Sequence, residues 1–143
     1  MIWTTKPSLE VINAVGENSL SAHLNIQFTE IGEDYLKATM PVDVRTVQPM
    51  RLLHGGASVA LAETMGSVAS VFCLDNPKTH SVVGVEINAN HLSSAKEGDI
   101  VTATVKPIKV GRQLHVWEIK IHRSDGRIIC VSRITIAVVE QRS

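Results

Sequence analysis

Apolar residues recur at two different spacings along the chain, and the switch between them divides it into helices and strands. Leu9, Ile12 and Val15 repeat at helical spacing behind Pro7 and the capping candidate Ser8, before Gly16. That pattern predicts a short helix from Ser8 to Gly16, lying as a lid at one end of the core. Leu24 to Ile31 and Tyr35 to Val42 then read as two strands. Their link, Gly32-Glu33-Asp34, has the chemistry of a hairpin turn, and Leu36, Ala38 and Met40 share the face that meets the core.

Thr46 to Gly56 follows neither period, whereas Ala57 to Cys73 is long, free of proline and almost uncharged. A helix apolar on nearly every side is predicted to be surrounded by protein rather than to keep one wet face. Four β-rich runs come next, at Ser81 to His91, Asp99 to Pro107, Leu114 to Arg123 and Arg127 to Glu140. The connections at Glu97-Gly98-Asp99, Lys109 to Arg112 and Ser124-Asp125-Gly126 are short, which favours antiparallel neighbours. Two strands, one buried helix and four strands predict an α+β fold, an antiparallel six-stranded sheet wrapped around a long central helix. One domain is expected to span residues 1–143.

Composition narrows the function classes. Lys plus Arg equals Asp plus Glu at 14 each, so no global field draws the chain to nucleic acid or an anionic membrane. Cys73 and Cys130 sit in apolar runs without metal-ligand spacing and read as buried thiols. His23, His54, His80, His91, His115 and His122 are scattered, so no metal site and no cofactor is expected. The Met1 to Pro7 segment lacks the basic start and apolar stretch of a signal peptide, which makes a cytoplasmic location the default expectation.

The chemistry concentrates on the long helix and the segment leading into it. Glu63 is its only charged residue, and at about 100° per residue Glu63, Ser67 and Ser70 fall within about 60° of one another. Such a polar stripe faces a cavity or a partner chain, or else the carboxylate bonds a neighbouring backbone group or Arg while the serines bond back to the helix. Upstream runs Gln48-Pro49-Met50-Arg51-Leu52-Leu53-His54-Gly55-Gly56. The glycine pair allows close backbone approach, and a helix N-terminus presents unpaired N–H groups to an anion. Donors where negative charge develops, with a carboxylate to act as nucleophile or general base, are what acyl transfer requires.

These residues resemble a known family. Met40-Pro41-Val42, Gln48-Pro49, Leu53-His54-Gly55-Gly56-Ala57-Ser58, Leu61-Ala62-Glu63, Gly84-Val85-Glu86-Ile87-Asn88-Ala89-Asn90-His91 and Ser132-Arg133 are similar to segments of hot-dog thioesterases of the 4-hydroxybenzoyl-CoA type. The likeness spans nearly the whole chain. It is strongest to the small enterobacterial thioesterases of menaquinone synthesis, which release 1,4-dihydroxy-2-naphthoate from CoA. A paralogue that clears misacylated carrier proteins in enterobactin synthesis is also similar.

The resemblance implies that Glu63 is the catalytic carboxylate, that the Gly55 N–H polarises the thioester carbonyl, and that Gln48 and His54 assist. Ser67 is implied to hydrogen-bond Glu63 or the attacking water. His91, Ser93 and Ser94 are implied along the CoA and acyl channel, and Lys109, Val110, Gly111 and Arg112 at the CoA phosphates, a stretch that otherwise reads as a solvated turn. Two departures bear on acyl preference. Met50, counted with the substrate-binding residues, stands where close relatives carry an aromatic residue, and Asp75 to Ser81 is longer than theirs.

A single chain is not expected to complete the site. Gly55 and Glu63 are eight residues apart, about 12 Å along a helix, more than one thioester carbonyl can bridge. A homodimer with shared active sites is the expected arrangement, and the family resemblance implies its further assembly into a homotetramer. Ser81 to His91 would supply the contact, with Val85, Ile87, Ala89 and His91 on one face and Gly84, Glu86, Asn88 and Asn90 on the other. Acyl-CoA is the expected substrate, with carrier-protein thioesters as the alternative. A hydratase using Asp75 and His80 and a non-catalytic acyl-CoA binder are the rivals. The first places its pair after the helix, in a loop. The second has no use for a carboxylate in an apolar helix.

Overall fold

The structure, a computed structural model, describes residues 1–142. Its elements run α1 (Leu9–Val15), α2 (Leu20–His23), β1 (Gln27–Ile31), β2 (Leu36–Pro41), α3 (Gly55–Phe72), β3 (His80–His91), β4 (Ile100–Val110), β5 (Leu114–His122) and β6 (Ile128–Glu140). The six strands form one antiparallel sheet in the order β1-β2-β4-β5-β6-β3, and α3 packs across its inner face. This is the α+β arrangement read from the sequence.

Strict alternation puts the core where it was expected. Leu36, Ala38 and Met40 are fully buried, as are Val101, Ala103 and Val105 on β4 and Trp117, Ile119 and Ile121 on β5. They meet Leu61, Ala62, Met65 and Ala69 of α3. Gly66 lets the helix settle this close, because a Cβ there would stand 2.5 Å from Cγ2 of Ile134. At the β1 edge of the sheet, the Asn13 amide of α1 donates to the Phe28 carbonyl and accepts from the Phe28 N–H, capping strand groups that lack a neighbour.

Several boundaries differ from expectation, each for a local reason. Asn25 adopts a positive φ of 55° after the short α2, so the first strand begins at Gln27 rather than Leu24. The central helix opens at Gly55 rather than Ala57, since His54 supplies a side-chain cap and the glycine pair occupies the first turn. A register shift between Pro107 and Lys109 carries β4 past its proline, so Lys109 and Val110 belong to a strand and the turn proper is Gly111 to Gln113. Nor is α3 covered on all sides: Val71 is 43% exposed and Glu63 is exposed.

One buried polar cluster ties α3 to β5. The Trp117 Nε1–H donates to Ser70 Oγ at 2.7 Å, and His115 Nδ1 lies 2.9 Å from the same oxygen. Burial holds the His115 pKa below that of a free histidine, opposed by a hydrogen bond to the Gly111 backbone and by Asp75. The unfolded chain therefore takes up this proton first, near pH 6.5, while the fold keeps the ring neutral. Stability rises with pH through that window and is lost as pH falls below about 6.5. The thermal midpoint should drop between pH 7.5 and pH 5.5, with a smaller slope in His115→Gln. The depressed carboxylates Glu30, Asp43, Glu97 and Asp125, held down by Tyr35, Arg45, Arg51 and Arg123, lose their contribution only at lower pH.

Candidate active site

The segment before α3 is folded back on itself and delivers its backbone to the helix start. Gln48 N–H donates to the Leu52 carbonyl at 2.8 Å, Arg51 turns the chain at φ 63°, and Leu53 N–H reaches the Ala95 carbonyl at 2.8 Å. Arg51 is held in place by Glu97 through hydrogen bonds of 2.7 and 2.8 Å. His54 then caps the helix, its Nδ1 accepting from the Gly56 N–H at 2.7 Å. Among the described residues no acceptor pairs with the Gly55 N–H, which stands at the positive end of an 18-residue helix.

Gly55 lines an open cleft of about 350 Å³ together with Gln48, Ser58, His91, Ser93 and Ser94, floored by Leu52, Leu53 and Ile129. His91 closes over the helix start, for a Cβ on Gly55 would lie 3.0 Å from its Nε2. Gln48 uses Oε1 to accept from the Met50 N–H, which leaves its amide NH₂ for a ligand. Ser93 is committed to the backbone, donating to the Ile128 carbonyl at 2.9 Å. Five of the residues expected at the site therefore come together on one chain: Gln48, Gly55, His91, Ser93 and Ser94.

The others lie elsewhere. Met50 is 77% exposed and outside this cleft, so within one chain it does not contact an acyl group bound there. His54 turns its Nδ1 to the helix cap. Lys109, Gly111 and Arg112 line a second open cleft of about 540 Å³ at the β4–β5 turn, while Val110 is part of β4. Glu63 and Ser67 sit on the bare side of α3. The structure gives no hydrogen bond between them, and Ser70 leaves their stripe to bond with Trp117 and His115. One helical face meets β3 at Glu63 and β5 at Ser70, so angle alone does not determine which residues are covered.

The surroundings of Glu63 depend on a bulge. Simple alternation puts Gly84 on the face of β3 away from Ile87, but the register against β6 shifts between Gly84 and Glu86, leaving Val85 unpaired and 61% exposed. Gly84 consequently faces α3 along with Ile87, Ala89 and His91. A Cβ on Gly84 would lie 2.7 Å from Glu63 Oε2. Among the described residues the Glu63 carboxylate has no ion pair and no hydrogen bond, which removes the reading in which it serves a structural arginine.

His115 and Trp117 escaped the sequence reading as site candidates, although β5 carries a signal that would have found them. His115, Trp117, Ile119 and Ile121 are the alternate positions that point inward. Asp75 and His80, the rival hydratase pair, border a cavity of about 180 Å³ at the far end of α3 from Gly55. Among the described residues no group of three or more His, Cys, Asp or Glu side chains is placed to hold a metal. Nor, among the described residues, is any helix long and apolar enough to cross a membrane.

Comparison with known proteins supplies independent findings. The thioesterase superfamily model matches residues 50–130. The 1,4-dihydroxy-2-naphthoyl-CoA hydrolase of Escherichia coli is 51% identical over 139 residues, covering 97% of this chain and all of that one. A proofreading thioesterase of Cronobacter turicensis is 47% identical over 97% of this chain and 99% of its own length. The crystal structure of a mutant thioesterase from Pseudomonas aeruginosa superposes with a TM-score of 0.95 at 45% identity, covering 99% of this chain and 100% of that one.

Proposed function

The chain belongs to the thioesterase superfamily and is an acyl-CoA thioester hydrolase of the hot-dog fold, and we propose that it works through Glu63 at a site completed by a second copy of itself. The observation that carries this reading is the pairing of two unengaged groups, the Gly55 N–H at a helix N-terminus and the Glu63 carboxylate on an uncovered helix face. An oxyanion and its attacking group need such partners.

On one chain the two groups cannot meet. They stand eight residues apart on α3, about 12 Å along the helix, and lie against opposite ends of β3, Glu63 by Gly84 and Gly55 by His91. β3 is also a twelve-residue edge strand paired only with β6, and Val83 and Val85 on it are 47% and 61% exposed. A twofold axis beside this edge would cover the apolar residues and bring Glu63 and Ser67 of each copy toward Gln48, His54 and Gly55 of the other. A homodimer, and from it a homotetramer, is the assembly proposed; a cytoplasmic location belongs to the same reading.

In this site the thioester carbonyl oxygen is held by the Gly55 N–H while Glu63 either attacks the carbonyl carbon, forming an anhydride, or takes a proton from the water that attacks. Either route breaks the C–S bond and ends in free acid and CoA thiol. Under single-turnover conditions in ¹⁸O water, label entering the Glu63 carboxylate marks the anhydride route. Substitution of Gly84 by Ala forces the carboxylate aside, and a displacement near 1 Å at a reacting group costs about 10- to 100-fold in rate. Kinetics of Gly84→Ala should show that loss in kcat with an unchanged melting midpoint, since the clash is with the free end of a side chain.

The identities of the relatives favour an aromatic acyl group, with 1,4-dihydroxy-2-naphthoyl-CoA and hydroxybenzoyl-CoA as the first candidates. Carrier-protein thioesters are the second reading, favoured by the proofreading relative. A panel of aromatic and fatty acyl-CoAs and aryl carrier proteins, ranked by kcat/KM from thiol release, tests the order. Fatty acyl-CoAs heading that ranking would overturn the aromatic assignment.

A further inference from the structure

The β4–β5 turn carries Arg112 and follows Lys109, yet little stands behind it. The turn is tied by Gly111 N–H to the Leu114 carbonyl at 2.9 Å and by Val138 N–H to the Gln113 carbonyl at 3.0 Å. Beneath it lies the cavity of about 180 Å³ between the end of α3 and Gly111, Arg112 and His115. The side chain that reaches from the turn into the protein interior is His115, 1% exposed and paired across the ladder with Val110.

Donor chemistry fixes the direction of one of these contacts. Trp117 Nε1 can only donate, so Ser70 Oγ accepts from it. His115 Nδ1 lies 2.9 Å from that oxygen, and the ladder sets His115 opposite Val110, next to Leu114, whose carbonyl accepts from the Gly111 N–H. The result is a buried relay, Trp117 to Ser70 to His115, linking the helix that carries Glu63 with the strand residue beside the turn that carries Arg112. Among the described residues no buried side-chain polar atom lacks a partner, and a buried polar contact of this kind favours a single geometry.

We infer that Ser70 and His115 are positioning residues for coenzyme A recognition, holding the β4–β5 turn where Lys109 and Arg112 meet the phosphates of the CoA moiety. This rests on the reading of that turn as the phosphate contact. Loss of the relay loosens the turn into the cavity behind it and weakens the grip on CoA, while the reacting groups around Gly55 and Glu63 keep their arrangement. The consequence is a selective rise in KM for substrates that carry the CoA phosphates.

The test compares two thioesters of the same aromatic acid, one of CoA and one of N-acetylcysteamine, which has the thiol end of CoA without its phosphates. Ser70→Ala and His115→Phe should raise KM for the CoA ester about five- to tenfold, with kcat within twofold, and leave the N-acetylcysteamine ester unchanged. His115→Gln, which keeps an acceptor and a donor, should restore most of the difference. Arg112→Ala reports on the underlying reading. A selective CoA effect in Arg112→Ala but not in the relay variants overturns the relay alone; no selective effect in Arg112→Ala overturns both. Equal KM changes for the two esters in folded relay variants also overturn the inference. If Ser70→Ala does not fold, Ser70→Cys, nearly isosteric and a far weaker hydrogen-bonding partner, takes its place in the same comparison.

Discussion

Replacing Glu63 by Gln should lower kcat by about three orders of magnitude or more while leaving the melting midpoint within a degree or two of the parent. The substitution preserves shape and removes only the negative charge, so the side chain can neither attack a carbonyl carbon nor accept a proton from water. Stability is spared for a structural reason: the carboxylate engages no cation and no hydrogen-bond donor among the described residues, and it is exposed on its own chain. A structural carboxylate would behave oppositely, losing stability and keeping turnover. Steady-state thiol release and a thermal melt on the same preparation separate the two.

Truncation of Trp117 to Ala is the largest stability effect expected. The indole is fully buried, so its removal opens a cavity worth about 3–5 kcal/mol and also deprives Ser70 of its donor. The melting midpoint should fall by about 10 °C or more. Trp117→Phe refills most of the volume without the N–H, and its smaller loss isolates the polar share. Equal losses in the two variants would mean that the hydrogen bond, not the packing, dominates. The polar share also connects this region to Arg112, so Trp117→Phe should carry part of the selective KM effect predicted for Ser70→Ala.

The fold was legible where one rule governs a whole element. Leu36, Ala38 and Met40 alternate without interruption and are buried as alternation requires, and the nearly uncharged stretch after Gly56 became the helix against which they pack. Legibility failed where one residue breaks a period. The bulge at Val85 moves Gly84 to the helix side of β3, and no local composition announces it, since the shift is set by the pairing with β6. The same holds at Pro107, whose missing N–H is accommodated by a second register shift that prolongs β4 into the supposed loop.

The candidate site was legible as chemistry and only partly as geometry. Gln48, Gly55, His91, Ser93 and Ser94 converge because the chain before α3 folds back on Ala95 and the end of β3 lies over the helix start. Glu63 does not join them, and helical rise already explains the separation. Ser70 shows the opposite error. By angle it shares the Glu63 stripe, but β5 covers that end of the helix and supplies His115 and Trp117 to occupy its hydroxyl. Helical angle identifies a face; only the sheet decides how much of that face stays open.

Mixed chains test the shared site most directly. Two inactive variants are prepared separately, Glu63→Gln and Gln48→Ala, then mixed under conditions that exchange subunits. If each site takes Glu63 from one chain and Gln48 from the other, half the dimers are mixed and each of these holds one intact site. Activity should then return to about a quarter of the parent value. A mixture no more active than the average of its two parents, with subunit exchange verified by mass, would place both groups in one chain's site and contradict the account.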